Sequence, residues 1–298
     1  SYLPEVLRRD QLVAANALVQ GSTFVGIILG MILAGVLFTL SATHLVWVWS
    51  SALVIAVLGY LSSRQMTEVS SPSAAGDELR RGFVALIRLA HENSSVWRAI
   101  LGISWFWLVG ATYITQLPNF VRYQLFADEQ VFLLTLTLFA LGIGAGALLC
   151  NMLRNTRLAN YSVITGLTGL LLFGLLLPQF TLEQRGVLLG LAAFMEAAHP
   201  LMLLALLMLG VSGGLYIVPL YTVLQVRSDQ RHRSRMVAVN NIMNAAFMVL
   251  SAAIALLLLG SGLPIHALFE GLALANLLVV VWFLRCDRLF LLNVTRLY

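Results

Sequence analysis

Val13-Ala14-Ala15-Asn16-Ala17-Leu18-Val19-Gln20 returns as Val237-Ala238-Val239-Asn240-Asn241-Ile242-Met243-Asn244, and that return decides the fold. The offset is 224 residues. Asn16 falls on Asn240 and Gln20 on Asn244, so each copy carries two amides one helical turn apart. Each copy follows a charged segment and opens a long apolar run. Self-similarity at a fixed spacing signals a repeated architecture. The two copies therefore mark equivalent helices of two related halves.

The composition says what surrounds those helices. Of the 298 residues 60% are hydrophobic and 10% charged, and the mean hydropathy is +0.90. A soluble domain carries roughly 25% charged residues. This balance excludes an ordinary soluble enzyme and a disordered chain. A bilayer-crossing helix needs about 20 apolar residues. Eight segments qualify, over 14–40, 44–61, 100–120, 131–150, 158–177, 200–224, 236–259 and 264–284. The stretch 186–199 is apolar but short and holds Glu196, so it reads as an interfacial helix.

Arginine placement orients the spans. All 18 basic residues are arginine. With eight crossings and a cytoplasmic start, only Arg122 and Arg185 fall outside. That asymmetry is the positive-inside pattern. It predicts an inner-membrane protein with both ends of this chain cytoplasmic. Cys150 and Cys286 then lie at cytoplasmic helix ends, where thiols stay reduced.

The long polar break, 62–98, begins with a Ser/Pro/Gly linker. Leu79, Phe83, Leu86, Ile87 and Ala90 then recur at helical spacing among Arg80, Arg81 and Arg88. This predicts a basic amphipathic helix on the cytoplasmic leaflet. It leaves two spans before the break and six after.

Two parallel halves of six spans are the plan of major facilitator transporters. The expected fold is all-α, a partial major facilitator fold of about eight transmembrane helices, equivalent to helices 5–12. Residues 1–61 close the first half, 62–98 link, 99–284 form the second half and 285–298 are a cytoplasmic tail. The offset places the start of the first helix about 125 residues upstream of Ser1. Gly26 with Gly30 and Gly142 with Gly146 form GxxxG steps on helices 5 and 8, expected to face each other.

Intramembrane polar residues are the candidates for chemistry, because each is costly in hydrocarbon unless partnered or wet. Asn16, Gln20 and Thr23 form one stripe, and Asn240, Asn244 and Ser251 another. The third span carries Trp105, Trp107, Tyr113, Gln116 and Asn119 around Pro118. The sixth carries Tyr216, Tyr221 and Gln225, with Gly213, Gly214 and Pro219 to loosen the helix. Each stripe reads equally as a cavity lining or as helix-to-helix hydrogen bonding. Glu270 is the one acid well inside a span and reads as a paired residue near the outer end of helix 12. The five histidines are scattered, and neither a Walker A motif, a His-x4-Asp pattern nor a Ser/His/Asp constellation occurs. The reading is a carrier with no cofactor, metal or nucleic-acid partner.

Three stretches resemble the bacterial lysophospholipid transporter branch of the major facilitator superfamily. They are Leu3-Pro4-Glu5 through Asn16-Ala17-Leu18 with Gly21-Ser22-Thr23; Trp105-Phe106-Trp107 through Gln116-Leu117-Pro118; and Gly213-Gly214-Leu215-Tyr216-Ile217-Val218-Pro219-Leu220 with Gln225, Asn240, Asn241 and Asn244. The superfamily signature G-x-L-x-D-R-x-G-R keeps Gly146 and Leu148, but Cys150 and Asn151 replace Asp-Arg and Leu153 replaces Gly. The resemblance implies movement of lysophosphatidylethanolamine or a similar one-chain phospholipid to the inner leaflet for reacylation. Some relatives continue into an acyltransferase and an acyl-ACP synthetase, and the tail from Arg285 is a candidate start for such a continuation. Two other readings remain open: an exporter of small amphipathic drugs, and a membrane anchor that feeds substrate to a fused acyltransferase.

Overall fold

The computed structural model describes residues 3–8, 11–40, 45–65, 83–153, 161–183, 186–229 and 232–286. Among these residues the fold is α-helical, with one isolated β-bridge between Ala127 and Leu189. The helices are α1 (Leu3–Val6), α2 (Leu12–Leu40), α3 (Leu45–Ser63), α4 (Phe83–Glu92), α5 (Ser94–Tyr123), α6 (Glu129–Leu153), α7 (Ser162–Leu176), α8 (Leu191–Ala197), α9 (Pro200–Arg227), α10 (Arg233–Gly260) and α11 (Ile265–Cys286).

Eight of them are long and apolar enough to cross a membrane, and they coincide with the eight expected spans. The chain is an all-α membrane protein. The stretch 186–199 yields only the seven-residue α8, too short to cross. The linker at 66–82, Arg154, Arg157, Arg185, Arg231 and the tail from 287 lie outside the described residues.

The amphipathic helix of the polar break is α4, and it ends at Asn93 rather than running into a loop. The Asn93 side chain accepts the Val96 amide at 3.2 Å and starts α5 six residues earlier than the apolar pattern alone suggests. Its Nδ2 also donates to the Arg227 carbonyl at 3.1 Å, tying the start of α5 to the end of α9. Ala90 of α4 is fully buried while Arg88 stays exposed.

Helix α9 is the centre of the bundle, with α6 on one side and α7 on the other; α10 packs on α5 and α11 on α7. Lipid tails are as apolar as leucine, so helix contact here rests on close packing. Gly142 and Gly210 supply it. A Cβ on Gly142 would overlap the Leu207 carbonyl and come within 2.9 Å of the Gly210 Cα. A Cβ on Gly210 would overlap the Phe139 carbonyl in return. Gly146 and Gly214 repeat the arrangement one turn along.

This corrects the expected glycine pairing. Helices α2 and α6 do pack together, but Gly142 and Gly146 meet α9. A Cβ on Gly26 or Gly30 meets nothing within 4 Å among the described residues. The packed face of α2 carries Val13, Asn16, Ala17, Gln20, Phe24 and Ile28. Gly26 and Gly30 lie off that face, because helical periodicity turns them to the far side.

Candidate functional site

The face of α2 that packs inward is apolar except at Asn16 and Gln20, and both amides are buried. Asn16 lies one turn into α2, opposite the last turns of α9. Its Nδ2 donates to Gln225 Oε1 at 3.0 Å and to Thr222 Oγ1 at 3.2 Å. Gln225 Nε2 donates back to Asn16 Oδ1 at 2.8 Å. The two amides thus satisfy each other head to tail, which a buried amide requires.

One turn further in, Tyr221 takes over. Its hydroxyl accepts Trp107 Nε1 at 3.2 Å, and Gln20, Asn240 and Asn244 cluster about it. Asn244 is satisfied with Nδ2 donating to Ser104 Oγ (3.0 Å) and the Asn240 carbonyl (3.1 Å). Its Oδ1 then accepts Asn240 Nδ2 (3.0 Å) and shares the single Trp107 Nε1–H (3.2 Å) with the Tyr221 hydroxyl. Asn240 is 0% exposed, and its Oδ1 has no hydrogen-bond partner among the described residues. An unmade bond on a buried acceptor costs about 1–3 kcal/mol.

Four helices build this cluster: α2, α5, α9 and α10. It runs from the ends of α2 and α9 toward mid-helix. The side chains named in it are neutral, so it can recognise hydroxyl, amine or phosphate-ester groups by hydrogen bonds without a fixed counter-ion.

Of the residues singled out in the sequence, seven meet here: Asn16, Gln20, Trp107, Tyr221, Gln225, Asn240 and Asn244. Ser104 and Thr222 complete the cluster. The i, i+3 spacing of Ser104 to Trp107, and Thr222 beside Tyr221, were the available signals for them.

The others go elsewhere. Trp105 Nε1 donates to Asn276 Oδ1 at 2.9 Å, and Asn276 Nδ2 donates to the Leu167 carbonyl at 2.8 Å, so this pair ties α5 to α11 and α7. Tyr113 is buried between Phe139 and Phe269. Tyr216 donates to the Gly102 carbonyl at 2.9 Å and stands edge-on to Phe283. Gly213 lies under Phe106, and Pro219 is buried inside α9, which runs through it unbroken. Asn119 Nδ2 donates to Gln116 Oε1 at 2.8 Å, and both line a shallow groove of about 340 Å³ between α5 and α10. Glu270 accepts Gln179 Nε2 at 3.0 Å, the paired state expected of it.

Over 268 residues the chain is 26% identical to the lysophospholipid transporter LplT of Yersinia pestis (strain Pestoides F). The lysophospholipid transporter LplT of Yersinia pseudotuberculosis (strain YPIII) matches to the same extent. Each match covers 89% of this chain and 62% of the relative. The chain is similar to lysophospholipid transporters. It spans 62% of the length of these curated relatives. No family model matches the chain, and no solved structure does.

Proposed function

We propose that this chain is the larger part of a lysophospholipid transporter of the bacterial inner membrane. The buried, neutral amide cluster about Tyr221 carries the reading: it joins α2 to α5, α9 and α10. In the major facilitator plan, α2 and α3 correspond to helices 5 and 6, and α5, α6, α7, α9, α10 and α11 to helices 7 to 12. The 224-residue repeat supports that correspondence. The cluster then sits between the two halves, where a rocking transporter opens and closes. The names of the relatives support a lysophospholipid as the cargo.

The arginine-rich loops support a cytoplasmic position for the cluster's end of the bundle. Grooves of about 570 Å³ and 480 Å³ lie at the other end, while the Asn16–Gln225 contact closes α2 onto α9. Reacylation belongs to an acyltransferase partner, separate or fused beyond the tail; this chain moves the lipid and does no chemistry on it.

The test is flipping of labelled lysophosphatidylethanolamine by the full-length protein in proteoliposomes. Wild type is expected to flip it, and Asn240→Leu or Gln20→Leu to slow it at least tenfold at matched reconstitution. Undiminished flipping by both variants, or a wild type that moves only cationic dyes, overturns the reading.

A further inference from the structure

A groove of about 570 Å³ lies between α2, α5 and α6, at the end of the bundle away from the amide cluster. Arg122, Asp128 and Glu129 line it. Among the described residues Arg122 makes no ion pair or hydrogen bond with either acid. Arg122 and Glu129 are exposed, so both signs are available to a ligand.

Asp128 is held in place. Asp128 Oδ1 accepts the amides of Gln130 (3.0 Å) and Val131 (3.2 Å), which starts α6. The Asp128 amide donates to the Leu189 carbonyl at 3.0 Å, and the Leu189 amide to the Phe126 carbonyl at 2.7 Å. The loop before α8 thus fixes the α5–α6 turn that carries Asp128. The rest of the wall is apolar. Ile32 of α2 and Phe132 and Leu133 of α6 line it.

We propose that this groove takes the headgroup of a one-chain zwitterionic phospholipid, with Arg122 on the phosphate, Glu129 and Asp128 on the ammonium, and the acyl chain along Ile32, Phe132 and Leu133. The proposal rests on the transport reading above and adds a headgroup preference to it. A guanidinium matches phosphate oxygens in a bidentate fork. A carboxylate is the matching partner for a primary ammonium. A zwitterion carries both charges a few ångströms apart, and a free anion carries one. The groove borders α2, so the chain reaches it from the side, out of the membrane leaflet, and the headgroup arrives at the level of the α5–α6 turn.

The experiment measures binding to the full-length protein in nanodiscs. The ligands are lysophosphatidylethanolamine and lysophosphatidic acid, which has the phosphate and the chain but no ammonium. Arg122→Gln is expected to weaken both about fivefold, the range of a partly exposed ion pair. Glu129→Gln is expected to weaken lysophosphatidylethanolamine about fivefold and leave lysophosphatidic acid unchanged. Asp128 is left intact because it caps α6. Glycerophosphoethanolamine, which has both charges and no chain, is expected to compete only at far higher concentration. Equal losses for both ligands in Glu129→Gln, or no loss in either variant, overturn the headgroup site. Competition by glycerophosphoethanolamine at lipid-like concentration overturns the acyl-chain wall. A wild type that flips lysophosphatidylethanolamine with neither variant affected sinks this proposal alone; a wild type that neither binds nor flips any lysophospholipid sinks the transport reading with it.

Discussion

Asn16 and Gln225 exchange two hydrogen bonds, at 3.0 and 2.8 Å, across 209 positions of sequence. Each amide is buried and each supplies what the other lacks, so the pair closes α2 onto the last turns of α9. Removing one partner strands the other, whereas removing both strands neither. Asn16→Ala and Gln225→Ala are each expected to destabilise by about 1–3 kcal/mol. The double variant should cost less than their sum, with a coupling of about 0.6–1.7 kcal/mol, the range for bonds between membrane helices. Thermal unfolding of the four proteins in one detergent gives the coupling. Additive losses would mean the contact is incidental.

Gly142→Leu or Gly210→Leu forces α6 away from α9, because the added side chain starts inside a backbone carbonyl. A melting point several degrees lower, or failure to purify as a monodisperse species, is expected. Gly271→Leu, at a position on α11 with open space around it, should behave as wild type. Similar behaviour of Gly271→Leu and Gly142→Leu in a melting assay would contradict the packing argument.

Asn276 serves two partners, Trp105 Nε1 and the Leu167 carbonyl. Asn276→Ala leaves a buried donor and a buried acceptor unpaired and is expected to cost about 1–3 kcal/mol. At matched amounts of folded protein its flipping rate should stay near wild type, since the amide cluster is untouched. Glu270→Gln should be quieter still, because a glutamine oxygen accepts from Gln179 as well as the carboxylate does. A selective loss of flipping in Glu270→Gln would instead assign that carboxylate to energy coupling.

The orientation is open to a direct check. In intact cells a membrane-impermeant maleimide should label Tyr123→Cys, whose side chain is 64% exposed at the end of α5, and spare Asp229→Cys beside the arginine-rich loop. The reverse pattern would invert the topology.

The spans were legible because twenty apolar residues in a row admit few alternatives. Seven members of the amide cluster were legible for the opposite reason: Asn, Gln, Tyr and Trp inside such runs need partners, so they stand out. Ser104 and Thr222 were not, because a helical hydroxyl can bond its own backbone, as Thr222 does to the Val218 carbonyl. Tyr113 and Tyr216 stood out as aromatics, but periodicity does not say whether a ring faces a cavity or a neighbouring helix. The structure places both among other rings and backbone. Gly26 and Gly30 carry the same spacing as Gly142 and Gly146, and spacing alone names no partner.

The glycines of α6 and α9 also have a mechanical consequence. Between Leu207 and Tyr216, α9 is gripped on both flanks: Gly142 and Gly146 of α6 meet its backbone on one side, and Gly166 and Gly169 of α7 meet Ser212 and Tyr216 on the other. Past Pro219, whose missing N–H removes one rung from the helix ladder, the grip passes to side chains: Leu220, Val223 and Leu224 are buried, and hydrogen bonds reach Asn16, Trp107 and Asn93. Helix α9 is therefore a cantilever, clamped backbone to backbone along its shaft and held at its tip by side chains, with one helix hydrogen bond missing at the proline. Displacing that tip exchanges side-chain contacts and leaves the clamped shaft in place.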